Sequence, residues 1–357
     1  MNNVRKIDNV VGKMNNLLIR VDSTYEIGMG HFMRTLALAQ RWQKENGNIY
    51  FLINDNSSLK KKILDENMKY IINPFESGTI NDSKFLLEIV FKKNISWIII
   101  DGYVFSEDYY DFLRENNLNF LIFDDDGKLS RYNSNIVLNQ NLHGKKEWYI
   151  SKKEKYTELL IGTKFTLLRN EFLQYLNYNK YIKCKAENIL ITLGGSDVKN
   201  YSLEILDVLN RLDFNDFNVM VVIGANNKHE SDLLEFINHL PFDVKILKNI
   251  SNMSDIMKWA DIAFSSGGTT VWELAFMGVP TIVGATSYIE EVLLNGLIKN
   301  NLFKTIGNLE ILDKNELRDI FDYLINDKHA RQKMSINGQK FIDGYGSKRV
   351  VDKMVKI

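Results

Sequence analysis

The stretch Arg20–Val21–Asp22–Ser23–Thr24–Tyr25–Glu26–Ile27–Gly28–Met29–Gly30–His31–Phe32–Met33–Arg34 decides how the rest of the chain is read. An apolar run over 17–21 stops at polar residues, a glycine turn follows, and then Phe32, Leu36 and Ala39 recur with helical spacing. Strand, glycine turn and helix in that order aim backbone N–H groups and a helix N-terminus at a ligand. Gly28 and Gly30 let backbone approach such a ligand closely. As a dinucleotide fingerprint the stretch is incomplete, because the third glycine is missing and Arg34 stands near its place. His31 sits at the hinge between turn and helix. The dipole at a helix start favours a neutral imidazole, and a neutral imidazole in a cleft suits a general base that takes a proton from water.

Working outward, further apolar runs over 49–54, 97–101, 119–123 and 136–139 alternate with helical patterns over 84–93 and 106–115. Short, continuously apolar strands between amphipathic helices predict a parallel sheet covered on both faces. Residues 159–168 read as strand or extended loop. The chain turns polar and tyrosine-rich between 171 and 187, and the same plan then restarts. Runs over 188–193, 219–223, 244–247, 262–264 and 280–283 follow, three of them ending in glycine turns. The expected architecture is α/β, with two doubly wound, Rossmann-like domains whose sheet ends face a central cleft. The expected organisation is a loose extension over 1–14, a first domain over 15–180 and a second over 181–345. A helix over 346–357, with Val350, Val351, Met354 and Val355 on one side, is suited to pack back across the domains.

Composition narrows the function. The 357 residues carry 45 Lys plus Arg against 45 Asp plus Glu, so net charge gives no argument for nucleic acid or an anionic membrane as partner. The single cysteine, Cys184, excludes an intrachain disulfide and a cysteine-based zinc cluster, and it is expected to be a buried, inert thiol. The polar segment 1–16 lacks the apolar core of a signal peptide, and no apolar run reaches spanning length. The expected location is the cytoplasm. Oligomeric state is not legible in the sequence.

The second strong signal is the stretch from Ser265 to Pro280. Ser266, Gly267, Gly268, Thr269 and Thr270 place N–H and hydroxyl donors between a strand and a helix, a cradle for phosphate or pyrophosphate. Glu273, one turn into that helix, is placed to reach sugar hydroxyls; Gly278 ends the helix and Pro280 starts the next strand. Gly194–Gly195–Ser196–Asp197 is the second domain's first glycine turn, suited to the cleft floor. Asp101–Gly102–Tyr103 and Asp124–Asp125–Asp126–Gly127 fall at expected strand ends. Adjacent carboxylates on a strand alternate sides, so loop hydrogen bonding or substrate contact is favoured there over a magnesium site. The remaining histidines show no metal-ligand spacing.

With these stretches in order, the chain resembles the UDP-sugar hydrolases of pseudaminic acid biosynthesis, relatives of the spore-coat polysaccharide proteins built on the GT-B glycosyltransferase fold. The resemblance is carried by Arg20–x–Asp22–Ser23, Ile27–Gly28–x–Gly30–His31–x–x–Arg34, Asp101–x–Tyr103, Phe123–Asp124–Asp125 and Leu138–Asn139–x–Asn141. Leu168–Arg169–x–Glu171–Phe172, Gly194–Gly195–Ser196–Asp197–x–x–Asn200 and Ser265 to Glu273 complete it. It implies hydrolysis of UDP-2,4-diacetamido-2,4,6-trideoxy-β-L-altropyranose by water attack at the anomeric carbon, without metal or cofactor. It places the catalytic base on His31, a sugar contact on Tyr103, and the nucleotide turn and its glutamate on Gly267, Gly268, Thr269 and Glu273. Asp22, Gly28, Gly30, Gly195, Ser266 and Thr270 complete the expected substrate-binding set. Trp272 stands where some members carry Asn, and Gly102 where some carry His beside the tyrosine. A glycosyltransferase with an acceptor in place of water, and a non-catalytic nucleotide-sugar binder, are the alternative readings.

Overall fold

Leu17, Leu18, Ile19 and Val21 are all fully buried, as a strand covered on both faces requires. In the computed structural model, described for residues 15–22, 30–194, 197–224, 227–248, 250, 252–287, 290–292, 294 and 302–357, this run is the central strand β1 (Asn16–Val21). With β2 (Ile49–Ile53), β3 (Lys69–Ile72), β4 (Ile95–Asp101), β5 (Phe120–Phe123), β6 (Ile136–Asn139) and β7 (Glu158–Ile161) it makes a seven-stranded sheet in the order β3-β2-β1-β4-β5-β6-β7. Every pairing in it is parallel. Chain order reverses direction beside β1, the position where doubly wound sheets open a crevice at their carboxyl ends. The expected extension over 1–14 and the turn over 23–29, with Gly28, lie outside the described residues, as does Gly195.

A second sheet comprises β8 (Asn188–Thr192), β9 (Asn218–Ile223), β10 (Asp243–Lys248), β11 (Ile262–Ser266), β12 (Thr281–Ala285) and β13 (Lys304–Asn308). Its order is β10-β9-β8-β11-β12-β13, again wholly parallel, so β8 and β11 stand where β1 and β4 stand in the first. Two strands, β3 and β13, were absent from the sequence reading. The ambiguous stretch 159–168 resolves into β7 followed by a 3₁₀ turn over Thr163–Phe165. Cys184 is exposed, which overturns the expectation of a buried thiol: it lies in the polar connection between the sheets, where no core is available to cover it.

Helix α1 (Gly30–Lys44) packs Phe32, Leu36 and Leu38 into the core over β1 and β2. Full burial of each such side chain stabilises by about 1.5–3 kcal/mol. The same core contains Val350, Val351 and Met354 from the helix Gly346–Met354, which crosses from the second sheet to lie on α1. The crossing is tight. A Cβ at position 346 would stand 2.0 Å from the Thr166 carbonyl oxygen, so only glycine lets the two backbones meet there. Between the sheets, the short helix Asn170–Leu173 touches α1 on one side and the helix Met253–Trp259 on the other.

Candidate active site

The carboxyl ends of β1, β4 and β5 deliver one connected cluster of side chains. Register pairs Val21 with Asp101 across β1 and β4, so the first turn of α1, which follows β1, lies over the end of β4. His31 and Arg34, three residues apart on α1, share a helix face and both reach Asp101. His31 Nδ1 is 3.0 Å from Asp101 Oδ1 without an aligned hydrogen bond. Arg34 donates to both oxygens of Asp101 at 2.6 Å, and through Nη1 to both oxygens of Asp125 at 2.9 Å. Its guanidinium also lies over the Phe123 ring, 4.6 Å from the centroid. Tyr103 Oη donates to Asp125 at 3.3 Å, and the Tyr103 ring meets the His31 ring edge-on at 4.9 Å. Asn141 donates to Asp125 at 2.7 Å.

The electrostatics follow from this packing. Burial opposes the Asp101 charge, but the Arg34 guanidinium, with His31, holds its carboxyl down at about 2. Burial likewise opposes the Arg34 charge, and the two aspartates more than offset it. Burial and the Asp125 charge push the Tyr103 phenol up, so it stays a protonated donor. Asp101, ionised at neutral pH beside His31 Nδ1, favours the tautomer with the proton on Nδ1, which leaves Nε2 as the acceptor. His31 is almost buried and Tyr103 is 52% exposed, so the tyrosine forms the accessible wall of the cluster.

The three consecutive aspartates follow the end of β5 in a turn, where the Asp126 and Gly127 N–H groups donate to Asp124 Oδ1 at 3.1 and 2.6 Å, and their side chains diverge. Asp124 turns inward to accept from Tyr132 at 2.8 Å and Tyr149 at 3.0 Å, Asp125 joins Arg34, and Asp126 pairs with Lys128. Among the described residues no group of three His, Cys, Asp or Glu side chains is arranged to hold a metal ion. Asp22 is fully buried; its N–H donates to the Asp101 carbonyl at 2.8 Å, continuing the strand pairing. Gly30 opens α1, and a side chain there would meet nothing within 4 Å. Arg20, part of the same motif, is wholly internal: it pairs with Asp82 at 2.9 Å and donates to Ser77, tying the segment before the helix Ile80–Lys93 to β1.

On the second sheet, Ser266 ends β11, Gly267, Gly268 and Thr269 form the turn, and Thr270 opens the helix Thr270–Phe276. Gly268, Thr269 and Thr270 are half-buried, and no side chain caps this helix; the Val271 and Trp272 N–H groups turn back to the Gly268 and Thr269 carbonyls at 3.3 and 3.1 Å. Glu290 stands against the turn: a Cβ at Gly267 would lie 3.0 Å from Glu290 Cβ. Glu273 is buried, and its Oε1 accepts from Arg169 Nε and Nη2 at 3.0 Å each. Arg169 also pairs with Glu171, whose Oε2 accepts from the Met253 N–H at 3.0 Å. Burial raises both glutamates against the lowering influence of Arg169. Asp197 caps the helix Tyr201–Asn210 by accepting from Tyr201 and Ser202 N–H at 2.9 Å, a structural task. Trp272 is buried in the core beside Phe303.

The sequence reading thus placed His31 and Tyr103 in one cluster, and Ser266 to Thr270 with Glu273 in another. The sequence assigns no individual role to Arg34 or Arg169, and gives Asp101 and Asp125 only loop hydrogen bonding or substrate contact. The spacing of His31 and Arg34 was a usable signal; their aspartate partners needed the strand order.

Comparison with known proteins agrees with this fold. The solved structure of MurG from Acinetobacter baumannii matches with a TM-score of 0.69 at 13% identity, covering 96% of this chain and all of that one. The fold is GT-B-like. A second solved structure, S. aureus MnaA–UDP, matches with a TM-score of 0.68 at 12% identity and covers 96% of each chain. In sequence, the glycosyltransferase family 28 C-terminal domain matches residues 188–291, the first five strands of the second sheet. An uncharacterized protein of Methanocaldococcus jannaschii is 32% identical over 277 residues, which are 75% of this chain and 55% of that protein. This GT-B-like chain therefore spans about half the length of that relative. The spore coat polysaccharide biosynthesis protein SpsG of Bacillus subtilis is 24% identical over 93% of this chain and 95% of its own. The UDP-2,4-diacetamido-2,4,6-trideoxy-β-L-altropyranose hydrolase of Campylobacter jejuni is 26% identical over 72% of this chain and 86% of its own. No helix among the described residues is long and apolar enough to cross a membrane.

Proposed function

We propose that the chain is a hydrolase of a UDP-sugar, with UDP-2,4-diacetamido-2,4,6-trideoxy-β-L-altropyranose as the substrate to which the relatives point. The observation that carries the reading is the His31–Asp101–Arg34 cluster, a histidine with Nδ1 3.0 Å from an aspartate that is itself locked by a two-point arginine. In this reading UDP lies across Gly267 to Thr270, whose N–H and hydroxyl donors meet the pyrophosphate charge. Glu273 contacts the ribose. The sugar lies toward Tyr103, with Gly30 leaving room beside it. His31 Nε2 takes a proton from water as the water oxygen bonds to the anomeric carbon. The bond from that carbon to the pyrophosphate oxygen breaks, and UDP leaves with the electron pair. The leaving group is already an anion held by fixed donors, so no proton need reach it.

The second reading, a glycosyltransferase in which an acceptor hydroxyl replaces water, is favoured by the family 28 match over 188–291 and by the likeness to MurG. The two share every residue role given above. Incubating the purified protein with a panel of UDP-sugars, with and without acceptors and with chelator present, separates them. UDP release in water alone, lost in His31→Ala, is the expected result. Release only on adding an acceptor establishes the transferase, and no release with any sugar leaves the binding-protein alternative.

A further inference from the structure

About 15 Å along α1 from His31, at 1.5 Å per residue, the far end of the helix borders a pocket of about 360 Å³. Three elements build it. Arg41 and Lys44 come from the end of α1, Asn170 and Gln174 from the connection between the sheets, and Ser347 and Lys348 from the start of the helix Gly346–Met354. No carboxylate lines it among the described residues. The facing acids lie behind the cations: Glu45 pairs with Arg41, Asp352 with Lys348 at 2.6 Å, and Asp343 with Arg349. Lys44 has no ion-pair partner among the described residues.

Two of the cations have an ordinary explanation. Arg41 and Lys44 occupy the last turn of α1, where positive charge complements the helix dipole. That does not explain the opposite wall. The helix Gly346–Met354 starts there with no side-chain cap, and its first bond back along the chain is Arg349 N–H to Tyr345 O at 3.0 Å, so the preceding N–H groups are left over. Ser347 lines the pocket although it is only 2% exposed, and its hydroxyl has no partner among the described residues. Arg41 Nε is also buried without an acceptor. A buried donor left unpaired, as Arg41 Nε is, costs about 1–3 kcal/mol unless something satisfies it. Helix N–H groups, a hydroxyl and cations share one complement, an anion with several acceptor oxygens.

We propose that this pocket binds the phosphate or pyrophosphate group of a small molecule, at a site separate from the candidate active site. Its volume is at the lower end for ligand pockets and fits a sugar phosphate better than a dinucleotide. Because its walls come from the first domain and from both crossings between the sheets, an occupant ties the junction of the two domains together. This inference does not depend on the reaction proposed above.

The test is calorimetric titration of the full chain with inorganic pyrophosphate at fixed ionic strength, with UDP present in excess. The expected result is one saturable site. Its affinity falls about tenfold or more in Lys44→Glu and severalfold in Ser347→Ala, as loss of a charge and of a hydrogen bond to an anion predict. Both variants are expected to stay folded: Lys44→Glu gives up only a charge at the end of α1, with a small fall in melting temperature, and Ser347→Ala, which loses no partner in the protein, melts no lower than the wild type. Absence of saturable binding, or binding that both substitutions leave unchanged, overturns the proposal. So does pyrophosphate binding that appears only when UDP is omitted, because it then belongs to the glycine turn of the second sheet.

Discussion

Arg169 places both its Nε and its Nη2 on a single oxygen of Glu273, 3.0 Å away in each case, from a position 104 residues earlier in the chain. Concentrating both bonds on Oε1 fixes the carboxylate plane while Oε2 takes no part in the pair. If Oε2 reads ribose hydroxyls, Arg169 is a positioning residue for that contact. Arg169→Met is then expected to shrink the preference for UDP over 2′,3′-dideoxy-UDP by about tenfold, the scale of one oriented charged hydrogen bond. Calorimetry with the two nucleotides measures the ratio, which general destabilisation does not move. A ratio that survives the substitution breaks the link between the two residues.

His31→Ala is expected to lower kcat by at least about 10², the usual contribution of a general base, while the dissociation constant for UDP stays at the wild-type value. Single-turnover kinetics alongside UDP titration separates the two quantities. A variant that loses both together would point to a role in binding or in folding instead.

Asp101→Asn removes the charge that orients His31 and leaves Arg34 with one carboxylate partner. A fall in kcat of about 10–10³ with little change in KM is the expected kinetic signature, because a mis-set tautomer harms only the proton transfer. The same residue carries a pH signature. Its carboxyl is depressed from 3.8 to about 2 on folding, so its stabilising effect is complete above about pH 4 and is lost as pH falls through 2. The shift corresponds to about 2–3 kcal/mol. Urea unfolding at pH 6 and pH 2.5 should show a smaller difference for Asp101→Asn than for the wild type.

Val350 and Met354 are expected to behave as residues of the first domain despite their place in the chain. Val350→Asp buries a charge in the core shared with Phe32 and Leu36 and should cost several kcal/mol; Met354→Ala should cost about 2–5 kcal/mol as a cavity substitution. Denaturant titration provides the totals. Hydrogen exchange should show the loss first in α1 and β1, and loss confined to the second sheet would contradict the packing described.

The architecture was readable because interior strands announce themselves: β4, β6, β8 and β11 carry apolar runs bounded by polar turns, and β1 carries one interrupted only by Arg20. The two strands that escaped, β3 and β13, are sheet edges with half-exposed, lysine-bearing sequences, where a covered-strand signature is not required. His31 stood out through its place after the glycine turn, and Glu273 through its distance from Gly268. Their partners did not. Asp101 becomes adjacent to His31 only through the pairing of β1 with β4, and Arg169 reaches Glu273 only because the connection between the sheets doubles back against the second domain. Asp22, expected at the substrate by its position, is fully buried, with the strand pairing continued through its backbone N–H. Cys184 looked like a core thiol by residue type alone, and its surroundings in the polar connection decide otherwise.

The seat of the helix Gly346–Met354 on α1 has a consequence for the order in which the protein is made. Arg349 meets the Lys164 carbonyl 185 residues upstream of it, and Val350 and Met354 fill a hollow in a core whose strands have all been synthesised long before. During translation the first sheet therefore emerges with part of its apolar face bare, and it stays so until the entire second sheet has been added. A nascent chain halted after β7 should be sticky and chaperone-dependent, and its first domain should gain its native resistance to protease only when residues 346–354 clear the ribosome.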